Sequence, residues 1–300
     1  MSTPTILRSR LDASVNHVVA AGDGGFFESR YVRRVPERWI CYLSSHSGCA
    51  KACRFCHLTA TRQTMMRDAT PADYLAQARH VFETYDQTVE QGAPRGEKVH
   101  YNFMARGEPL ANAALLSEPD SVFAPLADLA RLRNLSHEHK VSTILPADFR
   151  ADLAEVLGDP ASSLYLSLYS LDPGFRKRWL PKAMPGEAAL DLVADYQKST
   201  GRLVNLHWAF IAGANDAERD IDAIAEAVLS RGLRAKFNLV RYNPHSARHG
   251  VEPDEARLAM LFDRLSSALG GTGSRIVPRV GLDVKASCGT FVEDGDLLAA

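Results

Sequence analysis

A chain of 300 residues that is 46% hydrophobic and 24% charged has the material for a large globular core. A formal net charge of −1 excludes a chain-wide electrostatic pull toward a polyanion, and no apolar run approaches the ~20 residues of a membrane span. Five cysteines, three of them clustered, suit a reducing compartment better than a disulfide-built secreted domain. The N-terminus lacks the apolar core of a secretory signal, so the sequence predicts a cytoplasmic protein.

In chain order, a short polar lead precedes two β-prone runs, 15–21 and 26–34, around Gly22-Asp23-Gly24-Gly25, a hairpin signature. Arg30, Arg33, Arg34 and Arg38 make this part locally basic. Strand-like and helix-like stretches then alternate: strands at 39–44, 99–104, 141–145, 164–169, 203–211 and 235–240. Helices are expected at 71–85, 123–132, 147–157, 172–178, 187–198 and 255–269, with another capped by Asn215 or Asp216 that carries Ile221, Ile224 and Val228 on one face. A further strand-like piece lies at 275–280. Six βα units argue for parallel pairing, and for an α/β fold in the form of a partial, open (βα)6 barrel with its chemistry at the C-terminal strand ends. The expected division is 1–38 as an extension carrying the hairpin and 39–300 as the core.

Directly after the first core strand stands Gly48-Cys49-Ala50-Lys51-Ala52-Cys53-Arg54-Phe55-Cys56. Cys49, Cys53 and Cys56 in a Cys-x3-Cys-x2-Cys spacing can take three corners of an iron–sulfur cube and leave one iron open to a ligand. The alternative is zinc, with His46 or His57 as fourth ligand, although zinc sites usually add a second, distant cysteine pair. After the second strand, Arg106-Gly107-Glu108-Pro109 forms a turn that lets backbone approach a ligand, with a carboxylate able to accept from an ammonium group.

Together these residues resemble the radical S-adenosylmethionine (SAM) superfamily, and beyond it the adenosine methyl synthases of the RlmN and Cfr group. The resemblance runs from about Phe26 to Phe291 through CYLSSHSGCAKACRFC, NFMARGEPLAN, KVSTILP, LYLSLYS, AFIAGAND, FNLVRYNP and GLDVKASCGTF. It implies a 4Fe–4S cluster on Cys49, Cys53 and Cys56, SAM as cofactor, and an electron donor such as flavodoxin or ferredoxin. SAM contacts carry over to Gly107, Glu108, Ser142, Ser167, Leu168, Tyr169 and Asn243. Cys288 carries over as the methyl-carrying cysteine, Cys41 as the second thiol that releases the product by disulfide formation, and Glu28 as the base. The implied substrate is an adenosine in ribosomal or transfer RNA; the alternatives are a small nucleotide or natural product, or a non-catalytic metal protein.

The chain also departs from the family pattern. Tyr169 stands where members generally have histidine, and Met104-Ala105-Arg106-Gly107-Glu108 replaces Gly-Met-Gly-Glu. One extra residue separates Cys41 from Cys49. About 25 residues precede Phe26, too few for the family's accessory helical domain.

Overall fold

The computed structural model describes residues 3–298. A single ten-stranded sheet runs in sequence order: β1 Thr5–Arg8, β2 Val15–Ala20, β3 Phe26–Val35, β4 Arg38–Tyr42, β5 Lys98–Phe103, β6 Ser136–Thr143, β7 Ser162–Leu166, β8 Val204–Trp208, β9 Ala235–Val240 and β10 Arg275–Val277. The pairs from β1 to β4 are antiparallel, and those from β4 to β10 are parallel. The expected hairpin is therefore β2–β3, extended by β1 where the sequence offered only a polar lead. The architecture is α/β around this central sheet.

The helices are α1 His57–Ala60, α2 Pro71–Glu90, α3 Ala113–Ser117, α4 Pro119–Arg131, α5 Leu153–Val156, α6 Pro173–Trp179, α7 Gly186–Thr200, α8 Glu218–Ser230, α9 Glu255–Ala268 and α10 Asp294–Leu298. Helix α2 starts where its sequence dictates. Thr70 and Asp73 form a reciprocal capping box and Pro71 takes the first turn. Helix α8 begins at Glu218 with Ala217 as its N-cap, not Asn215 or Asp216. Asn215 instead ties the β8–α8 connection, accepting from Ile211 N and donating to Tyr169 O and Ala209 O. No helix among the described residues is long and apolar enough to cross a membrane.

The strict period of two along each strand sorts side chains between the two faces. On β4, Trp39 and Cys41, with Leu43 just beyond the strand, join the main core under the helices, while Ile40 and Tyr42 join a small cluster on the opposite face. Trp39 stacks on Tyr85 of α2 at 4.7 Å and meets Phe82 edge-on at 4.8 Å. The same alternation sends Val99 and Tyr101 outward to the helices, and His100, Asn102, Lys140, Tyr165, His207 and Asn238 inward. The inward face is polar, and it carries the site.

Candidate active site

The cysteine loop leaves β4 through residues 43–48. A Cβ at Gly48 would lie 2.5 Å from Gln63 O, so only glycine fits there. Backbone bonds from Cys49 N to Gln63 O, Arg54 N to Trp179 O and His57 N to Gly289 O pin the loop. Phe55 stacks on Tyr169 at 4.3 Å. Tyr169 holds this position with φ +62°, a left-handed conformation that is strained for a bulky residue.

Cys49, Cys53 and Cys56 all line one cavity, of about 970 Å³ counting its open mouth. Burial pushes the Cys49 thiol up to about 12 and Cys56 to about 11, opposed by backbone N–H groups of Lys51 at Cys49 and of Leu58 and Thr59 at Cys56. Those N–H groups favour thiolate, the form that ligates iron. A cluster's positive irons would remove the protons that burial holds in place, so the donor set fits the group. The two histidines considered for zinc are engaged elsewhere. His46 Nε2 lies 3.2 Å from Asp68, and His57 Nε2 lies 3.1 Å from Asn243 O. Among the described residues, no three His, Cys, Asp or Glu side chains converge on a single-ion site.

Across the cavity, Gly107 has φ +94° and a Cβ there would lie 2.4 Å from His46 Nδ1. Glu108 lines the cavity, its Oε1 accepting from Leu110 N and its Oε2 from Ile144 N, each at 3.1 Å. Burial raises its carboxyl to about 7, against the lowering by Thr143 and these two amides. A buried carboxylate poised at neutrality is a fitting receptor for an ammonium group. Ser142, Ser167, Tyr169 and Asn243 line the same cavity, with the two serine hydroxyls 3.5 Å apart. Leu168 does not: its side chain is buried in the core, and its carbonyl accepts from Arg176 at 2.7 Å and from Ser170 N at 2.8 Å.

Cys288 also lines the cavity, on a loop held from four directions. Asn243 Nδ2 donates to Cys288 O at 3.0 Å, and Arg30 donates to Ser287 O at 3.2 Å and Thr290 O at 2.7 Å. Val292 N donates to Glu28 at 2.9 Å, and His57 N to Gly289 O at 3.1 Å. Burial raises the Cys288 thiol, partly offset by the charges of Arg30 and Arg34.

Two of the expected residues are not brought to Cys288. Cys41 is fully buried on the helix-covered face, between Tyr31 and Tyr101 in the sheet register. Cys288 lines cavities on the other face, and it is Tyr42 that shares one of them with Cys288. A one-residue offset along a strand reverses the direction of the side chain, so Cys41 does not face Cys288. Glu28, expected as a base, is fully buried and has both oxygens occupied. Oε1 accepts from Arg106 Nε at 2.7 Å and from Val292 N; Oε2 accepts from Arg30 at 2.9 Å and Asn16 at 2.8 Å. Burial alone would raise its pKa, but the charges of Arg106 and Arg30 leave it lowered. Glu28 is thus the anchor of the Cys288 segment, and it lines neither cavity that Cys288 lines.

Sequence reasoning missed Arg106 as a partner. It also donates to Gln63 Oε1 and to Val292 O, both at 2.6 Å. The available signal was its position in the altered turn motif, directly before Gly107-Glu108, where the related pattern has methionine.

No family model matches the chain. It is 30% identical over 287 residues to a probable dual-specificity RNA methyltransferase RlmN of Synechococcus, covering 93% of this chain and 76% of that protein. It is 32% identical to a probable RNA methyltransferase of Sorangium cellulosum, covering 93% and 74%. Among solved structures, a radical SAM methyltransferase from Sphaerobacter thermophilus superposes with a TM-score of 0.76 at 21% identity, covering 97% of this chain and 81% of that one. The [FeFe]-hydrogenase maturase HydG superposes at 0.55 with 12% identity, covering 80% and 52%. These two likenesses are likenesses of fold.

Proposed function

The chain belongs to the RlmN-type radical SAM RNA methyltransferases, and from that premise we propose that it methylates an adenine carbon of RNA with Cys288 as the methyl carrier. The observation that carries this reading is Cys288 lining the same cavity as Cys49, Cys53, Cys56 and Glu108. We read the sheet as a partial (βα)6 barrel from β4 to β9, with residues 1–38 as its extension and 39–300 as the core. The inward polar faces of those strands support this.

A 4Fe–4S cluster and SAM are the cofactors of this enzyme; together they supply a transferable methyl group and a strong hydrogen-atom acceptor. Cys49, Cys53 and Cys56 hold the cluster. Gly107 lets the turn approach SAM, and Glu108 receives its ammonium; Ser142, Ser167 and Asn243 offer polar contacts. Tyr169, stacked on Phe55, shields the loop from water. The Cys288 thiolate takes the methyl group. A C–H bond of that methyl then breaks, its hydrogen atom going to the acceptor the cofactors supply. The carbon bonds to the adenine carbon, whose own proton and the unpaired electron leave to give the covalent adduct of protein and substrate.

Release requires a thiolate to attack Cys288 sulfur. An S–S bond forms, the S–C bond breaks, and its electron pair stays on carbon, which takes a proton. Cys41 faces the other way, so we assign this thiolate to a small-molecule thiol from solution. A flavodoxin- or ferredoxin-class protein is the proposed electron source.

Peptide mass spectrometry of Cys288 from cluster-loaded protein tests the reading. A methyl adduct on Cys288, absent when SAM is depleted, is the expected result. Methylated RNA made by protein whose Cys288 stays unmodified, or by Cys288→Ala, would overturn it.

A further inference from the structure

Beneath Cys288 lies a second, narrow chamber, about 600 Å³ counting its open mouth, lined by the inward faces of β3 to β10. It shares Met104, His207, Asn243 and Cys288 with the cofactor cavity, so the two spaces meet at the acceptor sulfur. Its walls hold polar atoms without partners. Asn238 is 1% exposed, and neither its Oδ1 nor its Nδ2 is hydrogen-bonded; Asn102, 6% exposed, has an unpartnered Oδ1. His207 Nδ1 is likewise unpartnered. Buried amides left in this state are destabilising unless something polar enters. A side-chain amide with both donor and acceptor free complements the edge of a nucleobase, which alternates the same groups.

Charge completes the picture. Five cations line the chamber (Arg34, Lys140, Arg241, Arg275 and Arg279) and no carboxylate does. Glu252 pairs with Arg241 and Arg279, and Glu138 with Lys140. Arg34 and Arg275 have no ion-pair partner among the described residues. Arg275 is exposed at the edge strand β10, and Arg34 is half-buried with its Nε unpartnered, so the unpaired positive charge runs from the rim inward beside the neutral amides. Unpartnered amides beside two unpaired arginines, the buried Lys140 being neutralised by Glu138, match a nucleotide entering base-first.

Resting on the methyl-synthase reading, we propose that this chamber is the acceptor pocket and takes one purine nucleotide unit, its base against Asn102 and Asn238 and its phosphate at Arg34 and Arg275. The unit is either a free nucleotide or a single nucleotide unstacked from RNA. Entry from this side puts the base at Cys288 without crossing the cofactor cavity.

Calorimetric binding of AMP, adenosine and inorganic phosphate to the cluster-loaded, SAM-bound enzyme tests the assignment. Asn238→Leu is expected to weaken AMP and adenosine alike by about tenfold or more. Arg275→Ser and Arg34→Ser are expected to weaken AMP and leave adenosine unchanged. Iron content and SAM affinity remain at parental values in all three. An adenosine-containing oligonucleotide that displaces AMP identifies RNA as the source; AMP binding that the oligonucleotide does not displace identifies a free nucleotide. No AMP binding by iron- and SAM-replete enzyme, or binding unmoved by these substitutions, overturns the proposal. AMP binding alongside a Cys288 that is never methylated overturns the function reading instead and leaves the pocket standing.

Discussion

Replacing Glu28 by Gln separates an anchor from a base. The carboxylate accepts four hydrogen bonds, two per oxygen, two of them from guanidinium groups that are each 1% exposed. A glutamine oxygen keeps at most two of these, and its NH2 group faces two donors whichever way the amide turns. One buried guanidinium also loses its counter-charge. Breaking a buried ion pair from one side costs about 3–5 kcal/mol. The loss of two charge-assisted bonds at about 1.5–3 kcal/mol each gives the same range. Glu28→Gln should therefore lower ΔG of unfolding by about 3–5 kcal/mol in urea melts, with a Tm drop of about 5–8 °C. The pH dependence has a defined sign. The native pKa of Glu28 is lowered from 4.5, so its contribution is present above about pH 4.5 and is lost as pH falls below it. That acid limb should disappear in the variant. Adding Arg106→Met should recover part of the loss, because the uncompensated charge goes with it. If Glu28→Gln melts within 1 kcal/mol of the parent yet accumulates protein-bound substrate, Glu28 is a base and the reasoning fails.

Three further outcomes follow from the site. With Glu108 at about 7, SAM binding favours the ionised carboxylate, so SAM affinity should rise about tenfold from pH 6 to pH 8 and flatten in Glu108→Gln; titration calorimetry with a pH-independent parent Kd would refute this. Cys41→Ala should leave product yield unchanged while costing about 1–3 kcal/mol from a small core cavity; turnover should instead scale with added thiol, and a trapped adduct specific to Cys41→Ala would restore Cys41 as the resolving residue. Gly107→Ala, with its Cβ 2.4 Å from His46 Nδ1 at φ +94°, should abolish SAM binding while the iron content stays at parental levels; retained affinity would show that the turn gives way.

Most of the parallel order was legible because each strand is short, apolar on one face and followed by a helix pattern. β1 was not, since Thr5–Arg8 is largely exposed and owes its strand state to pairing with β2. The cluster loop was legible because its ligands are local in sequence. The surroundings of Cys41 and Glu28 were illegible for opposite reasons. The extra residue between Cys41 and Cys49 was visible, but its consequence depends on strand phase, which spacing alone does not reveal. Glu28 looked like a solitary acid because its partner Arg106 lies 78 residues away and reaches it only through the fold. Asn102 and Asn238 lie in matched stretches, NFMARGEPLAN and FNLVRYNP, but their facing was not legible, since a polar residue in a strand reads as solvent-facing until the sheet faces are known.

The bonds that fasten the Cys288 loop join residues 257 (Arg30 to Ser287), 260 (Arg30 to Thr290) and 264 (Glu28 to Val292) positions apart. The three cluster thiols, by contrast, fall within eight consecutive residues. Contacts of such unequal reach form on different timescales during folding, the distant ones last. The metal ligands are thus neighbours along the chain whatever else has folded, whereas the acceptor sulfur reaches them only once the two ends of the chain have come together.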